Sequence, residues 1–299
     1  MPEVYKKKNI LVISDPLEVF RQPHADIENY ISSIFSKLFD SESLYSSEFL
    51  HGNLAESVIN NIDTTKYDLI IFASNAIIRR QSSIYTALVK NKDKLEKFIL
   101  AGKSIVLFHQ GFSGQKSEVD FLDFMSAKNW VAANLKDNRS VDFDVDEQHP
   151  ILQFPNLITK QDFLNNTLQS PFYLCYYGVE VSNELLDSRV SRVVNVNNPN
   201  NCVALMTYEN KGRVILSPYP ADWMKDEALL ENIFYYALNG VVDRVAILEE
   251  NSEDYYNMLI TRLGSHSNVI KFYDRDNVDN DFTFNYLSKN VDLFIFPNE

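Results

Sequence analysis

Three short apolar segments, separated by stretches of helical periodicity, constrain the fold of this chain more than any other feature. The segments are Asn9–Ser14, Tyr67–Ala73 and Ser104–Phe108. Each is a nearly continuous run of β-branched, aliphatic and aromatic residues, which is typical of a strand buried on both faces. Strands of this kind that alternate with helices indicate a sheet covered by helices. The sequence therefore predicts an α/β fold with a doubly wound, mostly parallel sheet.

The stretches between these segments carry apolar residues at spacings of three and four, the pattern of amphipathic helices. Ile27–Leu38 predicts the first helix, and Leu54–Ile59 predicts a shorter one with Asn53 as its N-cap. Ile84–Ile99 predicts one long helix, and Leu229–Leu238 predicts the helix that closes the domain.

The second half of the first domain is richer in predicted strands. Glu209–Gly212 separates two of them and predicts a hairpin turn. Gly102 lies between the long helix and the central strand, where a left-handed C-cap is expected. We place one domain at residues 1–241. Its later predicted strands are Phe172–Tyr177, Val190–Val196, Cys202–Tyr208 and Arg213–Ser217.

Residues 242–299 repeat the pattern with which the chain begins. Arg244–Leu248 resembles Asn9–Ile13, and Val291–Phe296 resembles Tyr67–Phe72. We interpret this region as the start of a second, incomplete α/β unit. Because so small a sheet cannot cover both of its faces, we expect the chain to be a fragment of a longer protein, with docking onto the first domain or a protein partner as the alternative.

Composition excludes several functional classes. The net charge of −13 over 299 residues argues against a nucleic-acid surface, which needs basic groups to replace counterions. No segment is apolar for long enough to span a membrane. Cys175 and Cys202 lie in apolar runs without metal-ligand spacing, so we expect core thiols. We expect a cytoplasmic protein with no cofactor, no bound nucleic acid and no membrane contact.

Polar residues follow the predicted strands at the point where each strand ends. Asp15, Asn75 and Tyr219 follow three of them, and His109 and Gln110 follow the central one. The carboxyl ends of parallel strands meet at one edge of a sheet, where open α/β folds bind their ligands. We therefore expect these side chains to form a pocket for a small polar ligand.

Several of these residues have two open interpretations. His109 and His149 are candidate catalytic groups, but His109 equally suits a turn, and His149 precedes a proline in a pattern that is often structural. Trp223 is suited to stacking on a ligand ring or to packing in the core. Asp146 and Glu147 lie beside His149 in a carboxylate–histidine set, yet their spacing fits no closed zinc site, so we expect no metal.

Three segments carry a resemblance to a known family. They read FILAGKSIVLFHQGF at 98–112, EQHPILQFPN at 147–156 and GRVILSPYPAD at 212–222. In this order they resemble the class I glutamine amidotransferase-like superfamily, and within it the ThuA-like (trehalose-utilisation) branch, over residues 8–240. The resemblance implies a flavodoxin-like sheet and a link to sugar metabolism.

The chain departs from that superfamily at the nucleophile. The resemblance aligns His109 with the position at which true amidotransferases carry a cysteine. Cys175 and Cys202 lie in later apolar runs, and Ser113 lacks the required turn. An acyl-enzyme mechanism needs an activated thiolate at that position, so we expect no glutaminase activity.

Two functions are left in competition, with a weaker third. We favour a non-catalytic amidotransferase-like module for ligand sensing or assembly within a larger protein. The alternative is an enzyme acting on a sugar or similar polar molecule, with His109 as acid or base. The third is a metal-assisted hydrolase that uses His109 and His149. No Walker, GxGxxG, HExxH or GxSxG motif is present, and His51 belongs to no recognisable constellation.

Overall fold

The computed structural model describes residues 8–15, 24–40, 45–77, 83–108, 132–133, 142–169, 178–180, 188–197, 202–239, 244–247, 268–272 and 293–295. Within these ranges the chain has an α/β fold. The helices are α1 (His24–Asp40), α2 (Gly52–Asn60), α3 (Ser83–Lys90), α4 (Lys92–Leu100), α5 (Lys160–Asn165) and α6 (Ala228–Asn239). The strands are β1 (Lys8–Ser14), β2 (Tyr45–His51), β3 (Leu69–Phe72), β4 (Ser104–Leu107), β5 (Ala132–Ala133), β6 (Phe143–Val145), β7 (Gly178–Glu180), β8 (Val190–Val196), β9 (Cys202–Glu209), β10 (Arg213–Leu216), β11 (Arg244–Ile247), β12 (Asn268–Phe272) and β13 (Leu293–Ile295).

Ten of the described strands form one mixed sheet. Its order is β2-β1-β3-β4-β10-β9-β7-β5, and β8 pairs with both β6 and β9. The first five strands in this order, β2, β1, β3, β4 and β10, are parallel to one another. The other five, β9, β7, β5, β8 and β6, are each antiparallel to the strands they pair with. The prediction of a mostly parallel sheet is corrected accordingly. The cause lies in the predicted Glu209–Gly212 hairpin, because so short a connection joins only antiparallel strands.

Helices cover both faces of the parallel strands. Ile10 and Val12 of β1 join a buried cluster that also contains residues of α1 and α6. Leu11 and Ile13 join a second cluster with residues of α2, α3 and α4. Successive side chains of a strand point to opposite faces, so each central strand contributes to two cores. This explains why the central strands carry apolar residues at consecutive positions.

The connection into the central strand β4 is a Schellman motif. Lys103 N donates to Phe98 O at 3.2 Å, and Gly102 N donates to Ile99 O at 3.0 Å. Gly102 has φ = +81°, the left-handed conformation that glycine adopts without steric cost. The C-cap expected at Gly102 is therefore confirmed.

Two helix predictions need correction. The predicted long helix is two helices, α3 and α4, because Asn91 interrupts it. The buried Asn91 side chain donates to Ala87 O and to Asn60 Oδ1, both at 2.8 Å. The N-cap of α2 is His51 rather than Asn53, because β2, which the sequence did not predict, continues directly into this helix.

The amino-terminal edge of the central strands is held by one carboxylate. Asp68 accepts a hydrogen bond from Asn9 N at 2.9 Å and pairs with Lys103 Nζ at 2.7 Å. These contacts connect the beginning of β1, the residue before β3 and the residue before β4. The polar groups of Asp68 therefore fix the register of three strands at once.

The C-terminal region repeats the arrangement of the first strands. The three strands there form a parallel sheet of order β12-β11-β13. β11 therefore lies between the next two strands of the chain, as β1 lies between β2 and β3. The two strands predicted from Arg244–Leu248 and Val291–Phe296 are confirmed as β11 and β13. The predicted strand Phe172–Tyr177 lies outside the described residues.

We expect Gly212→Ala to destabilise the protein far more than Gly102→Ala. A Cβ at Gly212 would lie 1.9 Å from Lys103 O, so backbone must move, at a cost of about 3 kcal/mol. A Cβ at Gly102 would have its nearest atom at 3.8 Å, so the penalty is that of the positive φ, about 1 kcal/mol. Urea unfolding of both variants measures the difference, and equal losses would contradict this packing of the hairpin against α4.

Candidate functional site

The candidate site lies where the parallel strands end. Backbone hydrogen bonds of 2.9 Å continue the ladder past the strands, from Ala73 N to Ile13 O, from Phe108 N to Phe72 O and from Ser217 N to Leu107 O. Polar side chains, all buried, follow these bonds. We call six of them the strand-end cluster: Ser14, Asp15, Ser74, Asn75, Ser217 and Asp222.

Asp222 connects two distant parts of this edge. It lies in a 3₁₀ turn at Ala221–Trp223 and is fully buried. Its Oδ2 accepts a hydrogen bond from Ser74 N at 2.8 Å, and its Oδ1 accepts one from Ser74 Oγ at 2.5 Å. The two residues are 148 positions apart. One carboxylate thus holds the turn after β10 against the end of β3.

The carboxyl of Asp222 has a raised pKa. Burial raises the pKa of its carboxyl to about 7, because the charged form loses its hydration, while the hydrogen bonds from Ser74 act in the opposite direction. The effect reaches α1: burial, followed by the negative charges of Asp222 and Glu227, raises the pKa of the Tyr30 hydroxyl. The carboxyl of Asp222 therefore changes charge near neutral pH.

Asn75 is the least satisfied polar residue of the cluster. Its side chain is 0% exposed, and within the described part of the chain neither amide atom has a hydrogen-bond partner. Asn232 is equally buried, yet its amide donates to Ile151 O and Asn156 O and accepts from Asn156 N. Because buried polar groups are almost always paired, the amide of Asn75 has an unused donor and an unused acceptor.

A serine–histidine pair lies at the end of β1. A hydrogen bond of 2.6 Å joins Ser14 Oγ and His51 Nδ1, and the two residues are register partners in β1 and β2. The interpretation of His51 as a residue without a constellation was therefore wrong. No local pattern predicts this pair, because it depends on β2, whose sequence YSSEFLH mixes polar and apolar residues without clear periodicity.

The strand-end residues predicted from the sequence have different outcomes. Asp15 and Asn75 are buried at the expected edge of the sheet, 6% and 0% exposed respectively. His109 and Gln110 lie outside the described residues, so their roles stay predictions. Asp222 was missed as a site residue, although an acidic residue in the otherwise uncharged sequence PYPADWM was a usable signal.

Two predicted ligand-binding aromatics are core residues. The ring of Tyr219 packs against Phe163 and Phe143, with centroids 5.1 and 6.1 Å apart. Trp223 is 1% exposed and belongs to the same buried cluster. The structure therefore favours packing over ligand stacking for Trp223, because its ring is covered by protein.

The imidazole of His149 is also held by contacts with neighbouring residues. Ile151 N donates to its Nδ1 at 3.3 Å, Thr207 Oγ1 lies 3.4 Å from its Nε2, and its ring centroid is 5.6 Å from that of Tyr236. Burial lowers its pKa to about 4, opposed by the charge of Asp146. This neutral histidine caps the 3₁₀ turn at Pro150–Leu152. The structure favours this role over the catalytic interpretation.

The acidic residues beside His149 accept hydrogen bonds from nearby backbone N–H groups. Asp146 Oδ1 accepts from Gln148 N at 3.3 Å, and Glu147 Oε1 accepts from Lys160 N at 3.0 Å at the start of α5. Among the described residues, no three His, Cys, Asp or Glu side chains are grouped as metal ligands. Cys202 is a buried thiol, as expected, and Cys175 lies outside the described residues.

Comparison with known proteins gives no family for this chain. Neither a scan against protein-family models nor a search of curated proteins found a match. In the part of the chain that the structure describes, no helix is both long and apolar enough to cross a membrane. The resemblance to the amidotransferase-like superfamily therefore stays a prediction.

We expect Asp222→Asn to stabilise the protein at pH 8. The folded state keeps the Asp222 proton up to about pH 7, whereas the unfolded chain loses it near the ordinary value of 3.8, so this group's contribution to stability falls as pH rises between these values. The amide keeps an acceptor for Ser74 N without a buried charge, and the gain reaches about 4 kcal/mol above pH 7. Unfolding at pH 4 to 8 measures it; a gain that does not shrink toward pH 4 would contradict this cause.

Proposed function

We propose that this chain is a non-catalytic module that binds a small polar molecule at the strand-end cluster. The observation that carries the proposal is the buried, unpaired amide of Asn75. An unpaired polar group of this kind costs about 1–3 kcal/mol of stability. Proteins keep local costs of this size mainly at functional sites, and a bound ligand would supply the missing partners.

The strand order supports the location of the site. The order β2-β1-β3-β4-β10 corresponds to the 2-1-3-4-5 order of flavodoxin-like sheets. The chain passes from β1 outward to β2, and then back beyond β1 to β3 and β4. Open α/β sheets bind ligands where this direction reverses. Ser14 ends β1 and Asp15 follows it, and Ser74 and Asn75 follow β3, so these members of the strand-end cluster lie at the reversal.

The proposed membership of the class I glutamine amidotransferase-like superfamily, ThuA-like branch, fits this location. Its predicted central strand corresponds to β4, and its predicted closing strand and helix correspond to β10 and α6. A histidine at position 109 cannot form the acyl-enzyme that a cysteine nucleophile forms. A binding module, acting with a protein partner or with the remainder of a longer chain, is therefore favoured over a glutaminase.

Asn75→Leu tests the module directly. The apolar side chain of similar size removes the unpaired amide, so we expect the ligand-free protein to gain about 1 kcal/mol of stability. Glucose or trehalose is expected to raise the melting temperature of the wild type, by the equivalent of about 3 kcal/mol at a hundredfold excess over Kd. The variant is expected to lose this response.

Asn195→Leu is the matched control. The Asn195 Oδ1 atom is also buried and unpaired among the described residues, but Asn195 lies on β8, which β4, β10 and β9 separate from β3 in the sheet. This variant should retain the sugar response of the wild type. An Asn75→Leu protein that is less stable than the wild type and responds equally to sugar would contradict a ligand-binding role for Asn75.

The enzyme alternative has one observation in its favour, the Ser14–His51 hydrogen bond. It brings a candidate acid or base to the same edge of the sheet, although on β2 rather than on the central strand. A coupled assay of glucose release from trehalose distinguishes the two functions. The module predicts no turnover by the wild type. Turnover that is lost in His51→Gln or His109→Gln would favour the enzyme.

A further inference from the structure

We propose that Asp222 determines the charge of the ligand: its carboxylate occupies the anion-binding groups of Ser74, so the site accepts an uncharged polar molecule and rejects phosphate- and carboxylate-bearing ones. This inference rests on the proposed function. Its test variants are at Asp222 and Ser74 rather than at Asn75, and its anionic probes are not used to test the proposed function.

The two donors of Ser74 hold the Asp222 carboxylate in the way that a protein holds a bound anion. Its backbone N–H donates to one carboxylate oxygen at 2.8 Å, and its hydroxyl donates to the other at 2.5 Å. A backbone N–H and a hydroxyl that follow a strand are typical of the donors that hold phosphate or carboxylate groups of ligands in other folds. Here the protein's own carboxylate already fills the position, and both donors are used.

The charges around the cluster oppose a second anion. The ionisable residues of the strand-end cluster are Asp15 and Asp222, and both are acidic. On α1, burial and then the negative charges of Asp222 and Glu227 raise the pKa of the Tyr30 hydroxyl. The nearby Lys37 pairs with Glu227 at 2.6 Å, so its charge is already matched. An anionic group buried beside these carboxyls would be opposed by their like charge.

The amide of Asn75 suits a neutral partner for an independent reason. It has an unused donor and an unused acceptor, both fully buried. A hydroxyl or a primary amide of the ligand both donates and accepts, so it satisfies both atoms. A carboxylate or an ionised phosphate only accepts, and would leave the Asn75 carbonyl unpaired. Two separate groups, Asp222 and Asn75, thus favour the same class of ligand.

Removing the carboxylate should open the site to anions. In Asp222→Ala, Ser74 N and Oγ lose their acceptors, and we expect formate or inorganic phosphate at pH 8 to raise the melting temperature. The wild type and Asp222→Asn, which keeps an acceptor for Ser74 N, should not respond. Adding Ser74→Ala to Asp222→Ala should reduce the response at least twofold, because one of the two donors is lost. A folded Asp222→Ala protein that responds to neither anion would overturn the proposal.

A second measurement needs no variant. Titration calorimetry compares trehalose with trehalose 6-phosphate on the wild type, and we expect the neutral sugar to bind at least tenfold more tightly. Equal or tighter binding of the phosphorylated sugar would overturn the role of Asp222 and leave the proposed function standing. Failure of the proposed function has a different signature, the absence of any difference between the wild type and Asn75→Leu toward either sugar.

Discussion

The two hydrogen bonds from Ser74 to Asp222 join the end of β3 to the turn that follows β10, across 148 residues of sequence. That turn also contains Trp223, which packs in the buried cluster between the sheet and the helices α1 and α6. The contact therefore positions part of this core as well as the turn. A fully buried carboxyl is costly where a neutral side chain would serve. Asp222 contacts Ser74 just after β3, within the strand-end cluster for which we propose ligand binding.

The two ends of the parallel strands differ in how completely their buried polar side chains are paired. At the amino-terminal edge, Asp68 is paired with Lys103 and bonded to Asn9, and the contacts only fix register. At the carboxyl-terminal edge, within the part of the chain that the structure describes, the carboxyl of Asp222 is buried without a cation and the amide of Asn75 without a hydrogen-bond partner. Sequences tend to satisfy local rules except where function requires otherwise. The unsatisfied edge is therefore where we locate the function.

The sequence was sufficient to predict β1, β3, β4 and β10, because strands buried on both faces carry apolar residues at consecutive positions. It was not sufficient for β2, whose residues alternate poorly, or for the break at Asn91, whose side chain replaces a backbone partner. The site residues likewise divide into those that a local pattern predicts and those that it does not. Asp15 and Asn75 were predicted because they come directly after strong strands. The Ser14–His51 and Ser74–Asp222 contacts depend on tertiary pairing, which no local pattern encodes.

The proposed site depends most directly on Asp222 being a buried carboxyl that Ser74 holds at the sheet edge. Titration of its side-chain carbon by NMR, in protein labelled with ¹³C-aspartate and assigned with Asp222→Asn, tests this. We expect a pKa of about 7, because burial disfavours the charged form. We also expect a higher pKa in Ser74→Ala, which removes a hydrogen bond to the carboxylate. A pKa near the ordinary value of 3.8 that Ser74→Ala leaves unchanged would contradict it.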